Sequence, residues 1–96
     1  MSAEIAVADH PDAGRYEITV DGERVGFVSY RLTESEITLP HAEVDPAREG
    51  QGLGSRLVRG TLDDVRARGL TVRPAPLCPF VAAFIERHPD YADLVA

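Results

Sequence analysis

Apolar and polar residues alternate through the first half of the chain, and the period then lengthens. "EIAVADH" reads as a first strand. "RYEITVDGERVGFVSYRL" reads as two strands joined at Asp21-Gly22, a turn pair that favours a tight hairpin between alternating apolar runs. After the polar turn "TES", the stretch 36–44 within "SEITLPHAEV" reads as a further strand. From Leu53 the apolar spacing becomes helical. Leu53, Leu57, Val58, Leu62 and Val65 fall on one face, while Arg56, Arg59, Asp63 and Arg66 fall away from it. A helix over 52–68 is expected, closed by Gly69 just beyond its end. "LTVRP" is then a short strand, and a strand–helix–strand unit of this length implies a parallel pair. Pro79 opens a last helix, "PFVAAFIER", at the position where its missing N–H costs nothing. "HPDYADLVA" reads as a terminal turn or short helix. Antiparallel strands followed by β-α-β-α make an α+β fold, and 96 residues make one domain, 1–96.

At the junction of the fourth strand reading and the first helix lies "VDPAREGQGLGSRLV", with Gly50, Gly52 and Gly54 at alternate positions. Glycine weakens a helix, so its use at a helix start points to a need for bare backbone. The first N–H groups of a helix lack intrahelical partners, and the dipole favours an anion there. A phosphate-bearing ligand is the functional reading; a glycine-rich turn with no ligand is the alternative. A Walker loop is excluded, because it needs a lysine and the chain has none. A dinucleotide fingerprint fits poorly, because Ser55 stands at its third glycine and "LTVRP" carries no acid.

Charge sharpens this picture. Residues 1–45 carry ten acids against three arginines, a balance of −7, whereas 46–96 carry six acids against seven arginines. Six of the ten arginines lie between Arg48 and Arg73, around the glycine loop, which suits phosphate. The net −6 argues against a nucleic-acid partner. The first residues lack a basic, apolar leader, and "LCPFVAAFI" is too short to span a bilayer. A cytoplasmic protein, a monomer with no membrane partner and no metal, is the expectation. Cys78 stands alone, so no internal disulfide forms.

The stretch 44–58 resembles motif A of the GNAT superfamily of N-acetyltransferases, the loop that cradles the pyrophosphate of coenzyme A. Its first position is Glu49, where most of the superfamily has Arg or Gln. "RYEITVDGERVGFVSYR", "HAEVDP", "EGQGLGSRLV", "PLCPFVAAFIERHPDY" and "ADLV" together resemble a short branch of small stand-alone GNAT-like proteins, which commonly have E-G-x-G there. The resemblance runs over nearly the whole chain. It implies a trimmed GNAT fold without the usual early helices, with acetyl-CoA as co-substrate and an amine as acceptor. Strands 36–44 and 70–74 would splay, and the pantetheine arm would lie in the wedge. Val44, Arg48, Glu49, Gly50, Gln51, Gly52, Leu53, Gly54, Ser55 and Arg56 would hold the coenzyme, with Pro79, Phe80 and Phe84 beside it. Arg48 or Arg56 would meet a phosphate.

Three residues are candidates for the chemistry. Alternation along "ITLPHAEV" predicts that Ile37, Leu39, His41 and Glu43 share one face. His41 and Glu43 at its carboxyl end are candidates for a base, directly or through a water; a half-buried structural histidine and a solvated strand end are the alternatives. Cys78, before Pro79, resembles the cysteine of the branch's P-x-C-P-F/Y motif. It is a small buried hydrophobe, a donor to the departing thiolate, or itself the acetyl acceptor. Many GNAT enzymes use a tyrosine acid on the last helix, where this chain has Phe80 and Phe84 and no tyrosine. A non-catalytic acyl-CoA-binding module is therefore the rival to an N-acetyltransferase.

Overall fold

The computed structural model describes residues 3–48 and 50–96. Five strands form one sheet in the order β1-β2-β3-β4-β5. β1 (Ile5–His10), β2 (Arg15–Val20), β3 (Glu23–Leu32) and β4 (Glu36–Val44) run antiparallel, and β5 (Thr71–Leu77) is parallel to β4. The β2–β3 turn is tight because Asp21 (φ 52°) and Gly22 (φ 85°) both adopt left-handed conformations, which suit the twist of a two-residue hairpin.

Helix α1 (Leu53–Ala67) crosses from β4 to β5 and buries Leu53, Leu57, Val58, Leu62 and Val65, the face read from the sequence, together with Thr61. The Thr61 hydroxyl donates to the Leu57 carbonyl at 2.8 Å, so its polar group is satisfied inside the core. Gly69 (φ 70°) ends the helix: its N–H donates to the Arg66 carbonyl and that of Leu70 to the Val65 carbonyl, closing two otherwise open carbonyls. Helix α2 (Pro79–Arg87) packs on α1, and a 3-10 segment, Pro89–Leu94, follows it.

Both helices cover the same face of the sheet. Tyr16, Ile18 and Val28 of that face are sealed against α1 and α2 residues in one core. Two clasps hold the layers together. The Tyr16 hydroxyl donates to Asp64 (2.5 Å), while Arg68 reaches Tyr16 and Asp9. Tyr91 donates to Asp63 (2.6 Å), and Arg66 forks onto Asp93.

Two irregularities shape the centre of the sheet. Between β3 and β4 the register slips: Ser29 faces His41 but Arg31 faces Thr38, so β4 carries one extra residue around Leu39–Pro40. Proline inside a strand marks such a bulge. Between β4 and β5 the slip is larger. Val72 pairs with Ile37 and Leu77 with Leu39, leaving Arg73–Pro76 of β5 opposite Thr38 alone. The expected strand 70–74 therefore extends to Leu77. Among the described residues, Pro40–Val44 have no strand partner on the β5 side.

Candidate active site

The β4–β5 pairing ends where the N–H of Cys78 donates to the Leu39 carbonyl at 2.8 Å. Beyond that bond β5 gives way to α2 and β4 runs on alone, opening a wedge. The far end of β4 leads through a 3-10 turn, Pro46–Arg48, into the glycine loop and α1. Gly50 (φ 83°) and Gly52 (φ 71°) are left-handed, and a Cβ on either would meet nothing within 4 Å. Their glycine identity answers to backbone conformation and leaves open space above the loop.

Gly54 differs. Its φ is ordinary, but a Cβ there would lie 2.5 Å from the Phe80 ring, so α1 and α2 meet at that point only because the side chain is missing. The first intrahelical bond of α1 runs from Arg56 N–H to the Gly52 carbonyl. Among the described residues, the N–H groups of Leu53, Gly54 and Ser55 have no acceptor, and the first turn holds no acid and no side-chain cap. Unpaired donors and the positive end of the helix dipole give that end of α1 a chemistry that suits an anion.

A cleft of about 340 Å³ joins these parts. Its floor is Ala42, Glu43 and Val44 of β4; Gly50, Gly52, Leu53, Gly54 and Ser55 form one wall, with Arg48 and Phe80 at the sides. Of the residues expected to hold a coenzyme, Val44, Arg48, Gly50, Gly52, Leu53, Gly54, Ser55 and Phe80 line it. Gln51, Arg56 and Pro79 are exposed and stand outside that lining. Glu49 lies outside the described residues. Arg48 is 4.0 Å from Glu23, a loose contact that leaves its guanidinium available. Ala42 is a lining residue that sequence reasoning missed; the extra residue at Pro40 would have disclosed it.

Two expectations need correction. Phe84 is fully buried, not beside the cleft: its ring packs against His88 (4.3 Å) and Tyr91 (5.7 Å). Its apolar helical spacing serves the core. Nor do Ile37, Leu39, His41 and Glu43 share one face. The bulge at Pro40 inverts the alternation, so Ala42 and Val44 continue the core side opened by Ile37 and Leu39. His41 and Glu43 emerge on the helix-free face instead.

There His41 Nε2 lies 3.6 Å from Glu43 Oε1, with side chains 58% and 62% exposed. The His41 ring tilts against Phe27 at 5.9 Å, and the Arg15 guanidinium lies over the Phe27 ring, 4.9 Å from its centroid. The pair is close and reachable by solvent. Cys78, by contrast, is 5% exposed and sits at the apex of the wedge, capping α2 through backbone alone.

A mixed sheet whose parallel pair parts beside a glycine-opened helix start defines the fold class, α+β. The family described as GCN5-related N-acetyl-transferase matches residues 15–94. The chain belongs to that family. Among solved structures it is similar to the ribosomal-protein-S18-alanine N-acetyltransferase of Escherichia coli, at 25% identity and a TM-score of 0.63 over 77% of this chain. It spans half the length of that enzyme. It also resembles in fold a GCN5-like candidate N-acetyltransferase of Staphylococcus aureus, with 22% identity, a TM-score of 0.65, and coverage of 97% of this chain and 87% of that one. No curated protein matches significantly. No helix among the described residues is long and apolar enough to cross a membrane.

Proposed function

We propose that this chain is an acetyl-CoA-dependent N-acetyltransferase acting on a primary amine, working as a cytoplasmic monomer. The observation that carries the reading is that β4–β5 pairing ends at Leu39 and Cys78, and that β4 then runs on, through Ala42–Val44, into the cleft lined by the N-terminus of α1. The N–H groups of Leu53, Gly54 and Ser55, without an acceptor among the described residues, suit a pyrophosphate together with Arg48. The unpaired margin of Pro40–Val44 suits an extended amide-bearing arm, which adds to a strand edge by backbone hydrogen bonds. Bound acetyl-CoA supplies an activated thioester.

The residues of the chain do the rest. His41, with Glu43 beside it, takes the proton from the acceptor ammonium, directly or through a water. The amine nitrogen then bonds to the acetyl carbon, the carbon–sulfur bond breaks, the nitrogen releases its second proton and the departing thiolate takes one, so that a group which protonates the thiolate recovers its proton from the nitrogen. The Cys78 thiol at the apex is the nearest candidate on α2 to supply that proton, since α2 carries no tyrosine.

The absence of a tyrosine on α2 also favours a second reading, a module that binds acyl-CoA without turning it over. The test is free CoA release from acetyl-CoA across a panel of amines, alongside melting in saturating CoA. Amine-dependent release establishes transfer. A raised Tm without release favours the module, and an unchanged Tm defeats both. Ligand at about a hundred times its Kd adds roughly 2.7 kcal/mol.

A further inference from the structure

On the helix-free face a second hollow of about 370 Å³ meets the wedge apex from the side opposite the coenzyme cleft. Thr38 and Pro40 flank Leu39 on β4, and Ala75 and Pro76 precede Leu77 on β5, so its wall is the strand pair that ends in the Leu39–Cys78 bond. Its mouth is set with Arg31 and Arg73. Arg31 faces Thr38 across the β3–β4 ladder, and among the described residues no carboxylate lies within 4 Å of it. Arg73 is only partly engaged, 3.6 Å from Glu36. Two arginines, one from β3 and one from β5, line the same hollow. Scattered solubility charge would not place them together over an apolar floor of Pro40, Ala75 and Pro76.

We infer that this hollow selects the acceptor, and that the acceptor is a zwitterion: a primary amine bearing a carboxylate or similar anion at its far end. The inference rests on the acetyltransferase reading. The anion meets the guanidinium groups of Arg31 and Arg73, which offer planar paired donors to a carboxylate. The amine then points along β4 towards His41, three residues from Thr38. Across the bulge that step matches the two residues from Arg31 to Ser29 on β3, a span of roughly 7 Å that an extended six-carbon amino acid bridges. The His41–Glu43 pair receives the ammonium, so each end of the acceptor meets opposite charge.

Three six-carbon amines test this: 6-aminohexanoate, hexylamine and 1,6-diaminohexane, which differ only in a far-end carboxylate, methyl or ammonium. Measured as CoA release, 6-aminohexanoate should exceed the other two in kcat/KM by about fivefold or more, the size expected of exposed ion pairs. The margin should shrink with added salt. Arg31→Glu should reverse the order while leaving the CoA-induced rise in Tm intact. Glu36→Gln, which frees Arg73, should widen the preference. Equal rates, or a preference for the diamine in the wild type, overturn the inference.

If no amine is acetylated, titration of the CoA-bound protein with 6-aminohexanoate, followed by amide NMR, separates the two readings. Saturable shifts at Arg31, Thr38 and Arg73 that hexylamine does not produce sustain the anion site even where transfer fails. No shift at those residues overturns it.

Discussion

Gly54 of α1 touches the ring of Phe80 on α2 so closely that an added Cβ would lie 2.5 Å from Cζ and 2.7 Å from Cε2. Alanine is intrinsically better than glycine in a helix by about 1 kcal/mol. Here the clash should win, since overpacking costs about 1–3 kcal/mol and Phe80 must move to relieve it. Phe80 also lines the cleft, so Gly54→Ala should lower CoA affinity by about tenfold. In a Phe80→Ala background the same substitution should cost far less. A double-mutant cycle read by Tm and CoA titration checks this, and additivity within about 0.5 kcal/mol would refute the contact.

His41→Ala should reduce kcat by about 10²-fold with little change in the KM for acetyl-CoA, because the ring lies on the helix-free face, outside the cleft lining. Glu43→Gln keeps the shape beside His41 and removes the charge, so a smaller loss in kcat and a higher acceptor KM are expected. Steady-state kinetics with the best amine separates the two. Full kcat in His41→Ala would make His41 a surface histidine stacked on Phe27.

Cys78 is 5% exposed at the apex of the wedge, so it should not accumulate an acetyl group. Intact mass after mixing protein with acetyl-CoA alone should show no adduct. A stoichiometric adduct, absent in Cys78→Ser and discharged by amine, would establish a two-step transfer through the thiol instead. A bulky thiol reagent should label Cys78 slowly in the folded protein and rapidly after unfolding.

All three tyrosines resist ionisation. Burial, followed by hydrogen bonds to Asp64, Asp9 and Asp63, pushes the hydroxyls of Tyr16, Tyr30 and Tyr91 up, that of Tyr30 to about 12. Because the folded values are raised, this stabilisation is whole below the ordinary value of about 10 and is lost as pH climbs through the folded values. Phenolate absorbance should therefore appear together with loss of circular dichroism above pH 10. Phenolate formation at the ordinary pH with intact dichroism would contradict the clasps. Tyr16→Phe, which removes the donor to Asp64 and the acceptor for Arg68, should cost about 0.5–1.5 kcal/mol in denaturant unfolding.

The local code of this chain was readable wherever neighbours in sequence settle the structure. Asp21-Gly22 specified the hairpin, Leu53 to Val65 specified the buried stripe of α1, Gly69 ended it and Pro79 began α2. The misreadings came from register. Strict alternation carried His41 and Glu43 onto the core side, and the extra residue at Pro40 moved them to the opposite face. Pro40 itself was the available warning, since a central strand does not tolerate proline without a bulge. The long excursion Arg73–Pro76 lies in the pairing between strands, which no local pattern encodes. Gly50, Gly52 and Gly54 looked alike in sequence; only the approach of Phe80, 26 positions away, separates Gly54 from the other two.

The chain's last residues give the sheet unequal margins. Val95 bridges Val72 in parallel, and the Ala96 N–H donates to the Val72 carbonyl at 2.9 Å, so the outer side of β5 is already occupied at that point. β1, Ile5–His10, keeps its outer ladder of backbone groups turned to solvent. A foreign strand is recruited by such an unpaired ladder. Accretion onto this sheet therefore meets an obstacle at Val72 on one margin and none along Ile5–His10, among the described residues, on the other.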